Sequence, residues 1–324
     1  MNVALTPPPW ATHLLSDLTD WQKRPVPVAE LAPFAIPDDA YFEYAWQDAA
    51  GERHPDPANP NPPRNPWWTY ASNLEGPDYR PDPDAEPGDA APRGRLLKMD
   101  VASKLLGQRR RMLVYSPPGL AEAALPLILF QDGKAYLGWG RMPQVYDRLY
   151  ARGEIGPAHL VFVPPVERTP EYFFNPTYRR FLVEEALPAA EARARCDGRR
   201  TAWGASLGGL LSAQLAWEHR DLFQGVVAQS GAFLFSPETR ERDPFAGEEA
   251  FLAQVRAGDP RGLAWHLDCG TLEWLVHSNR RLAAALREAG ADVTYDERSA
   301  GHNWVNWRNG LARGLRRALP RNPA

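Results

Sequence analysis

The sequence predicts a doubly wound α/β domain, a mostly parallel sheet with helices on both faces, preceded by a small proline-rich, partly β N-terminal segment. Three observations carry that prediction. From residue 94 onward, short continuous apolar runs alternate with helix-length amphipathic stretches, the pattern of buried parallel strands joined by right-handed crossovers. The 33 prolines of this 324-residue chain are unevenly distributed and densest in its first third, in HPDPANPNPPRNPWW and EGPDYRPDPDAEPGDAAPRG, where a fixed φ and a missing N–H exclude helices and central strands. One apolar run climbs straight into Gly204-Ala205-Ser206-Leu207-Gly208 and a helical pattern starts at once, so a sharp strand-to-helix turn lies inside the domain.

The elements follow in order. Residues 1–93 contain one convincing pair of short strands in AYFEYAWQDAAGERHP, with aromatic residues at Tyr41, Phe42, Tyr44 and Trp46 and a turn at Ala49-Ala50-Gly51; this is a small β-rich module, too brief for a full sandwich. The segment PDPDAEPGDAAPRG marks the boundary with the α/β domain over 94–324. There GRLLKMDVAS and QRRRMLVYSPPG read as antiparallel neighbours. Strand and helix then alternate: LPLILFQDG with RMPQVYDRLYARG, HLVFVPPV with NPTYRRFLVEEALPAAEARA, and RRTAWGAS with LGGLLSAQLAWEHR. LFQGVVAQSG follows, then GLAWHLDCG with LEWLVHSNRRLAAALREAG and ADVTYDERSAGH with WVNWRNGLARGLRRAL. Leu275, Leu282 and Leu286, with the alanines between them, form an apolar stripe opposite arginines.

Composition excludes several functions. Lys plus Arg is 37 against 40 for Asp plus Glu, a formal charge of -3, without the basic footprint of a nucleic-acid binder. No apolar stretch reaches the ~18 residues of a membrane span, and the N-terminus lacks the basic and apolar regions of a signal peptide. Cys196 and Cys269 stand in no metal-like spacing. The expectation is a soluble cytoplasmic protein without a metal or cofactor.

Gly204-x-Ser206-x-Gly208 has a mechanical logic. The turn strains the central residue, and small residues two before and two after it let strand and helix pass without a clash. The serine hydroxyl then stands clear of the sheet, at the carboxyl end of a strand where α/β ligands bind, with a helix N-terminus that favours developing negative charge. A serine needs a base. His219 lies in the following helix and points away, His266 sits within a strand, and His277 lies on a helix. His302, in a loop after a strand and before the last helix, is placed to reach a serine. The acid should follow the serine and precede the histidine; Glu273 lies just beyond the preceding strand, with Asp268 as its rival. Oxyanion donors are expected from the backbone N–H of Leu207 and, through the loop FQDGKAY, from that of Lys134, with Gly133 permitting close approach. In VERTPEYFFNP, Arg168 and Tyr172 are candidates for binding an anionic or aromatic acyl group, against an Arg168–Glu171 pair that merely holds the loop. Trp304 is a candidate pocket wall beside His302, against simple packing of the last helix.

Together RRRMLVYSPPG, LILFQDGKAY, VERTPEYFFNPTYRRFLVEEALP, GASLGG, CGTLEWL and AGHNWVNWRNGL resemble the putative-esterase branch of the α/β-hydrolase superfamily, which contains enterochelin esterases, feruloyl esterases and mycolyltransferases. The Gly-His-Asn-Trp ending, with Trp307 beyond it, is most like the enterochelin-esterase type. The resemblance implies an α/β-hydrolase fold, Ser206 as nucleophile, His302 as base, an acid at Glu273, and oxyanion donors at Leu207 and Lys134. It implies a serine carboxylic-ester hydrolase working through an acyl-enzyme, with iron–catecholate siderophore esters as the substrate suggested. The family often has Asp where this chain has Glu273, and enterochelin esterases carry a longer β-sandwich before the hydrolase domain. An acyltransferase or a carbohydrate or feruloyl-type esterase would use the same triad, since the pocket and not the fold decides the substrate. A non-catalytic binding module is the alternative from a different class. The N-terminal third could cover the pocket mouth, form a homodimer or pack against the sheet edge.

Overall fold

The computed structural model describes residues 1–85, 94–238 and 247–321. The expected domain boundary at residues 93 and 94 adjoins 86–93, which lie outside the described residues. An eight-stranded sheet is built from β1 (Arg95–Ser103), β2 (Gln108–Ser116), β3 (Leu125–Phe130), β4 (His159–Phe162), β5 (Cys196–Ala205), β6 (Gly225–Gln229), β7 (Ala264–Gly270) and β8 (Asp292–Arg298). Their spatial order is β8-β7-β6-β5-β3-β4-β2-β1. The strands from β4 through β3, β5 and β6 to β7 are parallel neighbours. β2 runs antiparallel to β4, and β1 antiparallel to β2, as the sequence predicts for that pair. β4 and β6 are buried along their whole length, which is why they read as continuous apolar runs and not as alternation.

Helices fill the crossovers. α1 (Gly133–Gly138) and α2 (Met142–Ala151) lie between β3 and β4; α3 (Arg168–Tyr172), α4 (Pro176–Phe181) and α5 (Leu187–Glu191) between β4 and β5; α6 (Leu207–Glu218) between β5 and β6. α7 (Ala250–Ala257) precedes β7, α8 (Val276–Glu288) precedes β8, and α9 (Trp304–Ala318) closes the order. This is the predicted α/β-hydrolase architecture. α6 is buried continuously from Gly208 to Ala216, the mark of a helix enclosed by protein on every side. The run expected as one helix after Asn175 is interrupted by a π turn at Leu182–Ala186. Pro188 has no N–H to donate and its ring crowds the carbonyl four residues back, so the ladder widens there. No helix among the described residues is long and apolar enough to cross a membrane.

The chain divides into two compact units. The first joins Met1–Asp82 to Cys269–Val276 and Glu297–Asn309, and the second holds the other described residues. In the first, Tyr41–Gln47 pairs antiparallel with His13–Ser16, with Ser72–Glu75 and with the short Arg53–His54; Val26–Pro27 adds a fifth strand beside His13–Ser16. The central strand is buried on both faces. Phe42, Tyr44 and Trp46 pack with Leu14, Ile36 and Leu272, while Tyr41 packs with Tyr79, Ala300 and Val305. The sequence shows only the longest of these strands and its hairpin, because two- to four-residue strands carry too few positions for a period to register.

Candidate active site

In the second unit, β5 ends at Ala205 and α6 begins at Leu207, so Ser206 alone makes the turn. Its backbone sits at φ 57, ψ −124, a conformation a serine holds only where its surroundings fix it. They do so here. Ser206 N–H donates to Gln229 O at 2.9 Å, and Ser206 O accepts from the amides of Gly209, Leu210 and Ala232 at 3.0, 3.1 and 3.0 Å. A Cβ on Gly204 would lie 2.2 Å from the Gly208 carbonyl oxygen, which is the physical reason for the small residues flanking the serine. Among the described residues the amides of Leu207 and Gly208 have no protein acceptor, as expected at the open end of a helix.

The loop after β3 supplies the second arm. Asp132 takes a left-handed conformation, φ 53, at the start of α1. Gly133 presses on β4, where a Cβ would lie 2.5 Å from Val163 N. The amides of this loop can be accounted for one by one. Asp132 N–H donates to Tyr172 Oη at 2.7 Å, Gly133 N–H to Val163 O at 3.1 Å, and those of Ala135 and Tyr136 to Asp132 O at 2.8 and 3.1 Å. Lys134 N–H, the one the sequence selects, has no protein acceptor among the described residues.

Arg168 and Tyr172 are placed differently from expectation. Arg168 pairs with Asp132 and not with Glu171: its Nε donates to Asp132 Oδ1 at 2.7 Å and its Nη2 to Oδ2 at 2.8 Å. Burial works against the Arg168 charge, but the Asp132 carboxylate outweighs it and holds the guanidinium pKa above its ordinary value. Glu171 belongs to the buried Arg110, which reaches it at 2.7 and 2.9 Å. Tyr172 is fully buried and its hydroxyl accepts Asp132 N–H, so its contact is with the loop.

The acid and base candidates both lie in the first unit. Glu273 is 5% exposed, accepts Gly270 N–H at 2.8 Å and Asn306 Nδ2 at 3.4 Å on Oε1, and offers Oε2 to His302 Nδ1, to which it is bonded. Asp268 is engaged elsewhere, through an Oδ2 that accepts Gln229 Nε2 at 3.0 Å. Trp307 packs edge-on against the His302 ring, centroids 5.1 Å apart, and Trp274 lies at 6.2 Å. Trp304 is fully buried, held between Trp67 at 5.8 Å and Trp307 at 5.1 Å, so packing claims it and the ring beside His302 is Trp307. His266 bonds Thr294 Oγ1 within the sheet, and His277 is exposed on α8.

Sequence reasoning missed how the N-terminal strands hold this pair. Tyr41 N–H donates to Ser299 O at 2.8 Å, and Thr271 and Leu272 N–H donate to Arg298 O and Ala300 O at 2.8 and 3.0 Å. The strand Tyr41–Gln47 thus secures the loop before His302, and that loop secures the one before Glu273. Behind them lie two fully buried carboxylates. Asp17 accepts Trp21 Nε1 at 3.0 Å and Glu43 N–H at 2.8 Å; Glu43 accepts Tyr41 Oη at 3.0 Å and Asn65 Nδ2 at 2.8 Å. Burial raises both pKa values, Glu43 to about 7. No local motif announces these contacts, which join residues up to hundreds of positions apart.

Comparison with known proteins places this geometry. The chain is 24% identical to the uncharacterized protein YjcH of Bacillus subtilis over 70% of its own length and 98% of that protein's. It is 26% identical to an iron(III) enterobactin esterase of Escherichia coli O6:H1 over 86% of its length and 70% of that protein's. The crystal structure of an enterochelin esterase from Shigella flexneri superposes with a TM-score of 0.76 at 20% identity, covering 94% of this chain and 86% of that one. The family model described as Putative esterase matches residues 103–318; the chain belongs to that esterase family and carries its α/β-hydrolase fold.

Proposed function

We propose that this esterase is a serine carboxylic-ester hydrolase in which Ser206 attacks the acyl carbon, His302 is the general base and Glu273 orients it. The observation that carries the reading is the buried Glu273 carboxylate bonded to His302 Nδ1. That bond puts the proton on Nδ1 and leaves Nε2 as the lone-pair nitrogen that takes the serine proton. Attack by Ser206 Oγ generates an oxyanion, which the Leu207 and Lys134 amides receive. His302 then protonates the departing alcohol, and a water activated by the same nitrogen releases the acid from the acyl-enzyme. The imidazolium formed in each half-reaction is stabilised by Glu273.

The substrate in this reading is a small ester, of the iron–catecholate siderophore type. Its support is likeness to enzymes named iron(III) enterobactin esterase. The reading places the protein in the cytoplasm, as a homodimer or a monomer without nucleic-acid partners. Steady-state kinetics on p-nitrophenyl esters of increasing chain length, with ferric enterobactin and its linear trimer beside them, test it. Hydrolysis of both classes, with higher kcat/KM on the catecholate esters, is expected. Turnover of simple esters without any of the catecholate esters would overturn the substrate assignment.

A further inference from the structure

The main sheet ends in a long edge. Among the described residues β1, the nine-residue strand RLLKMDVAS, has β2 as its only strand neighbour, so one row of its N–H and C=O groups has no strand partner. Such a row is a template for pairing with another chain. Its side chains alternate between two faces. Leu97, Met99 and Val101 are half-buried, opposite Val114, Met112 and Arg110 of β2, while Leu96, Lys98, Asp100 and Ala102 are exposed on the other face. Leu96 keeps 42% of its surface in solvent. Lys98 stands opposite Leu113 and has no carboxylate partner among the described residues. Asp100 is met by Arg111 at 3.0 Å and Arg109 at 3.6 Å, both largely in solvent.

The order of residues along β1 selects what can pair with it. Two copies laid antiparallel about an axis at Met99 put Leu96 opposite Ala102, Leu97 opposite Val101, Lys98 opposite Asp100, and Met99 opposite itself. Opposite charges then meet twice, apolar side chains meet on both faces, and the unpaired Lys98 gains a carboxylate. Residues directly across an antiparallel pair have Cβ atoms about 5 Å apart, where opposite charges attract and like charges repel. Moving the axis by one residue sets Lys98 against Lys98 or Asp100 against Asp100, so the charges fix the register. They also discourage an unrelated apolar strand, which would leave both without partners. Independently of the ester-hydrolase reading, we propose that the chain forms a homodimer through β1, each copy continuing the other's main sheet across a two-fold axis at Met99. The interface is isologous, so each contact off the axis occurs twice.

Sedimentation velocity of the whole chain tests this on wild type, Lys98→Asp, Asp100→Lys and an equimolar mixture of the two variants, at concentrations up to about 100 μM. Circular dichroism establishes that each variant is folded. Wild type should sediment at twice the chain mass. Each variant replaces two attractive contacts by two repulsive ones and should raise the dimer dissociation constant at least tenfold. The mixture should form a dimer within about threefold of the wild-type constant, because the acidic strand of one variant faces the basic strand of the other at both contacts. If Asp100→Lys fails to fold, Lys98→Asp alone carries the test. A wild type that stays monomeric over the whole range overturns the proposal. So does a folded Lys98→Asp that associates as wild type does, since the interface would then lie off β1. A mixture of folded variants no more associated than its components overturns the register. None of these results bears on ester turnover, so the hydrolase reading stands or falls separately.

Discussion

Replacing Glu273 by glutamine changes one atom and no volume, yet the hydrogen bonds around it dictate a specific defect. Oε1 of Glu273 accepts from two donors, Gly270 N–H at 2.8 Å and Asn306 Nδ2 at 3.4 Å, while Oε2 faces His302 Nδ1. The glutamine oxygen must therefore stay on the Gly270 and Asn306 side, because an NH₂ there would confront two donors. Its NH₂ then takes the place of Oε2 and donates to His302 Nδ1. That forces the imidazole to carry its proton on Nε2, so it meets the nucleophile with a donor where a base is required. The wrong tautomer in such a triad lowers kcat by about 10⁴-fold, equivalent to ~5 kcal/mol in the barrier. Folding should change little, since every other partner of the side chain is kept. The assay is kcat and KM for p-nitrophenyl butyrate at pH 7–8, with a urea melt of each variant. Asp268→Asn, which disturbs the Gln229 bond, is the control. A loss below about tenfold in Glu273→Gln, or an Asp268→Asn variant as impaired as Glu273→Gln, would refute the reasoning.

Three further outcomes follow from the packing. Gly204→Ala places a methyl 2.2 Å from the Gly208 carbonyl oxygen; relieving that backbone clash should destabilise by about 1–3 kcal/mol and abolish most ester turnover, read by urea denaturation and kinetics on the folded fraction. Arg110→Leu leaves the Glu171 carboxylate buried beside only the Val166 and Glu167 amides, so denaturant titration should show a loss of about 3–5 kcal/mol, largely restored by adding Glu171→Leu; a loss under 1 kcal/mol would contradict this. Burial raises Glu43 from its ordinary 4.5 to about 7. The folded state therefore holds a proton that the unfolded state releases, and the favourable contribution, complete below pH 4.5, fades as pH rises through about 7. The total is roughly 3 kcal/mol, so the stability of wild type relative to Glu43→Gln should fall by that amount between pH 4 and 8 in urea titrations. A difference independent of pH would mean that Glu43 titrates normally.

The main sheet and the turn at Ser206 are legible in the sequence because their determinants are local. β3 is an uninterrupted apolar run and β6 is apolar up to Gln229, and the steric demand on Gly204 comes from Gly208, four residues away. His302 and Glu273 are legible for a related reason: each sits in the first loop after a strand, and chain order then pairs them. What escapes local reading is partner choice. Arg168 and Glu171 are three apart and of opposite charge, so a pair looks natural. Yet Asp132 comes from another strand end and Arg110 from β2, and burial of Asp132, Arg110 and Glu171 rewards the bidentate partners over the near neighbour. The scaffold around His302 is hidden in the same way. Trp67 lies in a proline-rich stretch without periodicity, and Tyr41 reads as one aromatic in an alternating strand, with nothing local to indicate that its amide meets Ser299.

The central claim is that Ser206 attacks an acyl carbon. Intact-mass analysis after treatment with a fluorophosphonate, followed by peptide mapping, tests it most directly. The account predicts one phosphonyl adduct per chain, carried by Ser206, with no adduct in Ser206→Ala and labelling slowed at least a hundredfold in His302→Ala. An unlabelled wild type, or equal labelling of wild type and Ser206→Ala, would contradict it.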